Sequence, residues 1–285
     1  MRANAEMQDL RSISGSIELG GDGIWYGSGV QDVSYPTEGY AACFAVEDES
    51  FWFRHRNACI VSVVRNYPPT GNGAIFDVGG GNGFVALGLE KEGFNVVLVE
   101  PGKAGAVNAK HRGLKNVVCA TTETAGFGQH SLPAVGLFDV IEHIEDDAAF
   151  LRSIRMLLRP EGRLYMTVPS YDFLWSAEDV GAGHFRRYTQ KNLDRLLESA
   201  GFNVEFSSYI FRFLPVPIFF LRTLPYRMGI SKSEDGEKIV ARDHVVSGGV
   251  TQAILNFMLR PEIENLRNNK PMHVGASCIV VARCA

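Results

Sequence analysis

Residues 76–89 read FDVGGGNGFVALGL, in which a short apolar run ends in an acid and four glycines follow within five positions. Bare glycines let a ligand approach the main chain, and the helix expected next presents unpaired N–H groups to an anion. A phosphate and a carboxylate meet this description equally well. The dinucleotide-binding pattern GxGxxG fails when read from Gly79 but fits as GNGFVA when read from Gly81. The stretch therefore predicts a ligand with an anionic group without deciding which ligand.

The sequence on both sides of this stretch alternates between predicted strands and helices. Short apolar runs predict seven strands, and helix signals fall at 84–92, 103–112, 146–159 and after Thr189. This alternation predicts an α/β fold: a Rossmann-like, doubly wound, mostly parallel seven-stranded sheet that binds its ligand at the carboxyl ends of the strands. The predicted strands are residues 74–78, 95–100, 116–120, 134–140, 163–170, 203–207 and 277–283.

The chain divides into a predicted core and two additions. Residues 48–208 and 274–285 form the core domain. Residues 1–47 are rich in Gly, Ser and Asp with little periodicity, and we expect an irregular N-terminal arm there. Residues 209–273 form an insertion before the last strand, and it begins with the aromatic, proline-rich run YIFRFLPVPIFFLRTLPYRMG at 209–229. A lid over the site, a homodimer face and a peripheral membrane contact all remain open for this insertion.

The composition restricts location and partners. The 285 residues carry a formal charge of -4, with a pI near 6.0, so the chain lacks the basic field that nucleic-acid binding requires. The first thirty residues lack the order of a signal peptide, and no apolar run reaches the length of a transmembrane helix. The five cysteines are never spaced as CxxC, which favours a reducing compartment and argues against structural zinc. We therefore expect a cytoplasmic protein without a nucleic-acid partner.

An acid ends the second predicted strand. Glu100 stands where such acids commonly accept hydrogen bonds from both hydroxyls of a ribose. Because the sheet is expected to close within one domain, with no separate substrate domain, a smaller nucleoside cofactor is favoured over a dinucleotide. An NAD(P)-dependent oxidoreductase, supported by GNGFVA and Glu100, is the alternative enzyme.

Several blocks of the sequence match the motifs of one known family. Glu100 matches the family's acid at the end of strand two, and LFDVIEHIEDD at 137–147 and LLRPEGRLYMTVP at 157–169 resemble its motifs around strands four and five. FWFRHRN at 51–57 and LWSAEDVGAGHFRRYT at 174–189 resemble one branch of the family, which says little about substrate. The family's first motif, acid-x-G-x-G-x-G, is filled by Asp77, Gly79, Gly81 and Gly83.

Taken together, these blocks resemble the class I S-adenosylmethionine-dependent methyltransferases, and the resemblance implies that S-adenosylmethionine binds here and leaves as S-adenosylhomocysteine. Its ribose would lie on Glu100, and its adenine after strand three, at CATTETAG, where Thr121 stands in place of the acid of many relatives. Arg54 or Arg56 would pair with the methionine carboxylate, unless both are solvated on a packed helix. The implied cofactor-binding residues are Asp77, Gly79, Gly80, Gly81, Asn82, Gly83, Glu100, Thr121, Thr122, Phe138, Asp139 and Arg54.

Two histidines are the candidate catalytic residues. His184 lies in a glycine-containing loop beyond strand five and is the preferred general base, since an oxygen or nitrogen nucleophile must lose a proton. It could instead fix its loop or orient an acidic acceptor. His143 is expected to contact cofactor or substrate. Asp139, Glu142 and His143 resemble the metal cluster of quinone-biosynthesis O-methyltransferases, but one block is thin evidence and we expect no metal.

The sequence thus favours methyl transfer to an oxygen, or a nitrogen, of a small or lipid- or glycan-linked acceptor. Besides the oxidoreductase, the alternative from another class is a non-catalytic cofactor-binding or interaction module on the same fold.

Overall fold

A computed structural model of the chain describes residues 10–28, 37–230 and 249–285. Residues 1–9 and 29–36 of the expected arm and residues 231–248 of the expected insertion lie outside the described residues. The descriptions that follow concern the described ranges.

One mixed sheet organises the described chain. Its order is β1-β2-β5-β4-β3-β6-β7-β9-β8, and the pairings are parallel except those of β1 with β2 and of β9 with both neighbours. Strands β1 and β9 therefore run against the rest. The strands are β1 Ile17–Leu19, β2 Trp25–Gly27, β3 Ile75–Val78, β4 Val96–Val99, β5 Asn116–Cys119, β6 Leu132–Phe138, β7 Leu158–Pro169, β8 Phe202–Ile210 and β9 Ser277–Cys284.

Helices lie before, between and after these strands. Asp146 caps α5 by accepting the N–H of Ala149, and Thr189 caps α7 by accepting the N–H of Asn192. The helices are α1 Thr37–Val46, α2 Phe51–Asn66, α3 Phe84–Lys91, α4 Lys103–His111, α5 Asp147–Leu157, α6 Ala177–Ala182, α7 Gln190–Ser199, α8 Pro215–Ile218, α9 Leu224–Arg227 and α10 Gly249–Arg267. A π-helical turn at Phe219–Thr223 joins α8 to α9.

The sheet confirms the predicted fold class but corrects its strand count. The seven predicted strands are present as β3 to β9, and β1 and β2 add two short strands at the β5 edge. Both lie in the segment expected to be irregular, which also contains α1. Each added strand has three residues, mostly partly or fully exposed, so neither makes an apolar run that periodicity could detect.

Apolar side chains pack on both faces of the sheet. Successive residues of a strand point to opposite faces, so Phe76 and Val78 of β3 join one core cluster while Ile75 joins the other. The central strands are buried throughout, as expected for a sheet covered on both sides. The ends of these strands are therefore held rigidly.

The sheet order places a crevice beside β3. The chain passes from β3 to β4 on one side, whereas β6 pairs with the other side of β3. At such a switch point the loops after the strands diverge, and the gap between them is the usual ligand site. The segments after β3, β4, β5 and β6 surround that gap.

Two further observations concern thiols and membranes. All five cysteines are free thiols, and four of them are buried. Among the described helices none is both long and apolar enough to cross a lipid bilayer.

Candidate active site

The glycine-rich loop after β3 is shaped by left-handed backbone. Gly81 has φ of 54°, and a Cβ added there would meet no atom within 4 Å, so its bare face borders open space. Gly83 has φ of 77° and begins α3, where an added Cβ would lie 2.4 Å from a methyl of Leu114. Gly81 thus leaves room for a ligand, whereas Gly83 lets α3 pack closely against its neighbours.

Asp77, the acid of this loop, is buried without a hydrogen bond. It is fully buried, and neither carboxylate oxygen has a partner among the described residues. Burial raises its pKa to about 7, against the lowering influence of Arg56. A buried carboxyl left in this state is suited to a cationic or hydrogen-bonding group of a ligand.

Glu100, at the end of β4, in contrast accepts hydrogen bonds at both carboxylate oxygens. One carboxylate oxygen accepts the hydroxyl of Tyr40 at 2.8 Å and the N–H of Gly102 at 2.6 Å, and the other accepts the N–H of Gly81 at 2.8 Å. Burial raises the pKa of Glu100, while these hydrogen bonds oppose the increase. The phenol of Tyr40 shows that a hydroxyl can reach this carboxylate.

A cavity of about 380 Å³ lies between the loops after β3, β4 and β5. Asn82 borders it, but its side-chain amide donates to the carbonyl of Tyr40 at 2.9 Å and accepts from Asn108 at 2.9 Å, so this amide fixes α1 and α4. Thr121 is likewise bonded to Thr124. We call this space the nucleoside cavity; its predicted wall residues are Gly79, Gly81, Asn82, Glu100, Thr121, Thr122 and Asp139.

A second cavity of about 300 Å³ adjoins the first. Its walls include the aromatic rings of Trp52, Phe53, Phe84 and Phe138 and six carboxyl side chains. We call it the acceptor cavity. The two cavities share the residues Cys43, Glu47, Gly79, Gly81, Asp139 and His143. They are therefore two halves of one cleft, joined beside the glycine-rich loop and the end of β6.

Asp139 stands at the junction. Its backbone has φ of 59°, in the left-handed region that costs a non-glycine residue energy, directly after β6. Thr167 donates its hydroxyl to the carboxylate at 2.9 Å, and Arg56 pairs with the other oxygen. Asp139 is therefore held at the seam of the cleft between two fixed partners.

The two arginines predicted as alternatives lie on different sides of α2. Arg54 is exposed and borders neither cavity, whereas Arg56 is nearly buried and borders the acceptor cavity. Two residues apart on a helix differ by about 200° in direction, so only one of this pair can face the site. Gly83, predicted to touch the cofactor, borders neither cavity.

Glu142 is a second buried carboxyl without a partner. It borders the acceptor cavity, is fully buried, and neither oxygen has a hydrogen bond to a described residue. Burial raises its pKa to about 8, although Arg56 and Arg187 act in the opposite direction. Glu142 is therefore largely protonated at neutral pH and can donate as well as accept a hydrogen bond.

His184 is oriented by a buried ion pair. Its Nδ1 lies 2.9 Å from Asp179, whose carboxylate also receives two hydrogen bonds from Arg187, at 2.7 and 2.9 Å. Burial would raise the pKa of Asp179, but its hydrogen bond with His184 and the charge of Arg187 leave that pKa lowered. With Nδ1 donating to the carboxylate, Nε2 is the nitrogen that can accept a proton.

His143 lies directly beside His184. The two ring centroids are 4.7 Å apart in an edge-to-face arrangement. Burial and the neighbouring histidine lower the pKa of His143 to about 4, so its ring is neutral at pH 7. Glu142, His143 and His184 also bring one potential ligand atom each within 4.8 Å of one another, close enough for one divalent ion, as do buried His55, Cys59 and Glu262.

Sequence reasoning missed three side chains that shape the cleft. Tyr40 lies in the segment expected to be irregular, and nothing there indicated its bond to Glu100. Asp179 had a usable signal, because LWSAEDVGAGHFRRYT places an acid five residues before His184 and eight before Arg187. Glu142 was noted only as part of a metal pattern, and its unpartnered burial is visible only in three dimensions.

Comparison with known proteins identifies the family. The sequence model described as a methyltransferase domain matches residues 53–206, more than half of the chain. The chain therefore belongs to the methyltransferase-domain family. A search of the curated proteins gives no match.

Solved structures share the fold at low sequence identity. A chain from the complex of the Haloferax volcanii Trm112 methyltransferase activator with a methyltransferase gives a TM-score of 0.54 at 14% identity, covering 89% of this chain and 99% of that one. A Thermotoga maritima methyltransferase, titled a possible histamine N-methyltransferase, gives 0.53 at 15%, covering 87% and 95%. Phosphoethanolamine N-methyltransferase 2 of Haemonchus contortus, solved with S-adenosylmethionine, gives 0.52 at 19%, covering 88% and 58%.

The family match confirms the predicted methyltransferase activity, with S-adenosylmethionine as the methyl donor, and the neighbouring structures confirm the α/β class. At these identities the neighbours share the fold alone, and they carry no information about the acceptor.

Proposed function

We propose that this methyltransferase transfers the methyl group of S-adenosylmethionine to an oxygen of a small or lipid- or glycan-linked acceptor, with nitrogen as the second choice. One observation carries the proposal: the nucleoside cavity and the acceptor cavity adjoin at Gly79, Gly81, Asp139 and His143. A donor whose nucleoside lies in the first half and whose methionine part crosses this junction would meet an acceptor bound in the second half. Methyl transfer requires this in-line approach of nucleophile, methyl carbon and sulfur.

The residues of the cleft fit the donor. Glu100 would accept the ribose hydroxyls, because it already receives a phenol hydroxyl at 2.8 Å and sits beside Gly81. Asp77 is a buried carboxyl without a partner next to the same loop, which suits the ammonium group of the methionine part. Arg56 is placed to pair with its carboxylate. Thr121 and Thr122 would border the adenine, and Phe138 and Asp139 the junction.

When bound, the donor supplies an electrophilic methyl group on a sulfonium and leaves as S-adenosylhomocysteine. The acceptor oxygen forms a bond to the methyl carbon while the carbon–sulfur bond breaks, and the electron pair stays on sulfur. His184 takes the acceptor's proton at Nε2, and the carboxylate of Asp179, which Arg187 also contacts, stabilises the resulting imidazolium. His143, neutral beside it, would contact the acceptor.

Several finer points stay proposals. A cytoplasmic location and the absence of a metal were expected from the sequence, and a homodimer face was one of the three roles left open for residues 209–273. The domain limits at residues 47, 208 and 273 also remain predictions.

The test is a methylation assay with methyl-labelled S-adenosylmethionine and a panel of hydroxyl and amine acceptors. His184→Ala should lower kcat about 100-fold or more while leaving the affinity for S-adenosylhomocysteine unchanged. His111→Ala, an exposed histidine on α4, is the matched control and should keep full turnover. Full turnover of His184→Ala would remove the general-base role, and label transfer to no acceptor would favour a non-catalytic module.

A further inference from the structure

The segment after β8 exposes a row of apolar side chains. Leu221 and Ile230 keep more than two-thirds of their surface in contact with solvent, at 75% and 71%. Scattered exposed apolar residues are ordinary, but a run of them within nineteen positions marks a contact surface. We call residues 212–230 the insertion surface. Its exposed apolar members are Phe213, Val216, Phe220, Leu221, Leu224, Met228 and Ile230.

The same surface is basic. It contains Arg212, Arg222 and Arg227 and no Asp or Glu, although the whole chain carries a formal charge of -4. Arg212 and Arg227 are exposed, and Arg222 pairs with Glu178. Exposed Phe and Leu beside arginines, without acids, is the composition of segments that lie in the plane of an anionic bilayer.

The insertion surface is also fixed to the active site. Thr223 donates its hydroxyl to the carbonyl of Leu174 at 2.9 Å, and the ring of Phe219 lies 6.3 Å from that of Phe173. Ile218 and Arg222, on the inner side, border the acceptor cavity. The outer apolar side chains are therefore held in place next to the space where the acceptor is expected.

We propose that the insertion surface docks on an anionic lipid bilayer. A second copy of this chain is less suited, because a two-fold contact through the same patch would bring arginines against arginines. Negatively charged headgroups instead complement the arginines, and the acyl region receives the apolar side chains. If the proposed function holds, the acceptor reaches the acceptor cavity from the lipid surface.

The test is co-sedimentation of the full chain with vesicles. Mixed phosphatidylcholine–phosphatidylserine vesicles should bind the protein, and pure phosphatidylcholine vesicles should bind it at least about fivefold more weakly. The double variant Val216→Glu with Leu221→Glu should lower partitioning at least about tenfold, since both side chains are exposed and would otherwise insert. Met156→Glu, which changes an exposed methionine on α5, should bind like the wild type.

Variants that remove one charge separate the electrostatic contribution to vesicle binding from the apolar contribution. Arg212→Gln should weaken binding to the mixed vesicles about fivefold and leave any binding to pure phosphatidylcholine unchanged, whereas Arg152→Gln on α5 should change neither. No wild-type binding to either vesicle, or equal binding by the double variant, would overturn the proposal. So would a wild-type dimer that the double variant dissociates in the absence of vesicle binding. Titration of the same samples with S-adenosylhomocysteine shows whether the donor site is intact. A lack of vesicle binding can then be told apart from a failure of the proposed function.

Discussion

The two halves of the cleft treat their buried carboxyl groups differently. In the nucleoside cavity, Glu100 has both oxygens hydrogen-bonded, to the Tyr40 hydroxyl and to two backbone N–H groups. In the acceptor cavity, Asp77 and Glu142 are as deeply buried and have no hydrogen bond among the described residues. The buried carboxylate of the nucleoside cavity therefore has its hydrogen-bond partners without a ligand, whereas the two buried carboxyl groups of the acceptor cavity do not.

The difference indicates how each half recognises its ligand. A carboxylate fixed by backbone donors is preorganised, so it can receive a ribose with little rearrangement. An unpartnered buried carboxyl instead carries a desolvation cost that only a partner removes, which makes it selective for the group that pairs with it. We therefore expect a variant of Glu100 to change donor affinity and a variant of Glu142 to change stability.

The largest effect on donor affinity is expected at Glu100. Glu100→Ala should weaken S-adenosylhomocysteine binding about 100-fold, because two hydrogen bonds to a charged group are lost at about 1.5 kcal/mol each. Titration calorimetry measures this loss. Glu142→Gln, from the other half, is the matched control and should stay within about twofold of the wild type. Equal affinity of Glu100→Ala and wild type would end the ribose assignment.

Glu142 should make stability depend on pH. A carboxyl whose pKa rises from 4.5 to about 8 on folding contributes stability below pH 4.5 and loses it as the pH rises through 8. Relative to the ligand-free wild type, Glu142→Gln should therefore gain on the order of 3–4 kcal/mol of unfolding free energy between pH 5 and pH 8. Urea unfolding at both pH values measures the difference, in which contributions from Asp77 and His143 cancel. A pH-independent difference would show that Glu142 is not protonated in the folded state.

Arg56 should have a smaller effect than Glu100. Arg56→Gln should weaken S-adenosylhomocysteine binding about tenfold, since it removes one charge-assisted pair with the methionine carboxylate. Arg54→Gln, two residues away on the exposed face of α2, should leave the affinity within about twofold. The reverse ranking of the two variants would show that Arg54 pairs with the methionine carboxylate, and it would contradict the assignment of Arg56 to this role.

Metal removal should have no effect. With His184 as the base, dialysis against EDTA should leave kcat unchanged within about twofold, because proton transfer to imidazole needs no cation. Activity that disappears and returns with Mg²⁺ or Zn²⁺ would show that Glu142, His143 and His184 hold an ion, so that His184 acts as a ligand.

The sequence predicted the parts of the fold that rest on local patterns. The buried strand 96–99 is a continuous apolar run, and the strand 75–78, apolar except for Asp77, is followed by the glycine-rich stretch. Strands β1 and β2 have no such run, because three-residue strands at a sheet edge bury few side chains. Their stability comes from pairing: β2 pairs with β5, which is far away in sequence, and β1 pairs with β2.

The sequence predicted where the residues of the candidate site lie but not which groups their side chains contact. Motif spacing brought Glu100, Asp139, His143 and His184 to one end of the sheet. The choice between Arg54 and Arg56 depended on which side of α2 faces the cleft, and the aromatic residues around both left that side ambiguous. The state of Glu142, buried and unpartnered, depends on three-dimensional packing that no short motif encodes.

The central claim is that Gly79–Gly83 and Glu100 hold S-adenosylmethionine and not a dinucleotide. Titration calorimetry of the purified chain with S-adenosylhomocysteine, run beside NADH, tests it most directly. We predict micromolar binding of S-adenosylhomocysteine and no detectable heat with NADH. Tight binding of NADH without S-adenosylhomocysteine binding would contradict the account and favour the pattern GNGFVA as a dinucleotide site.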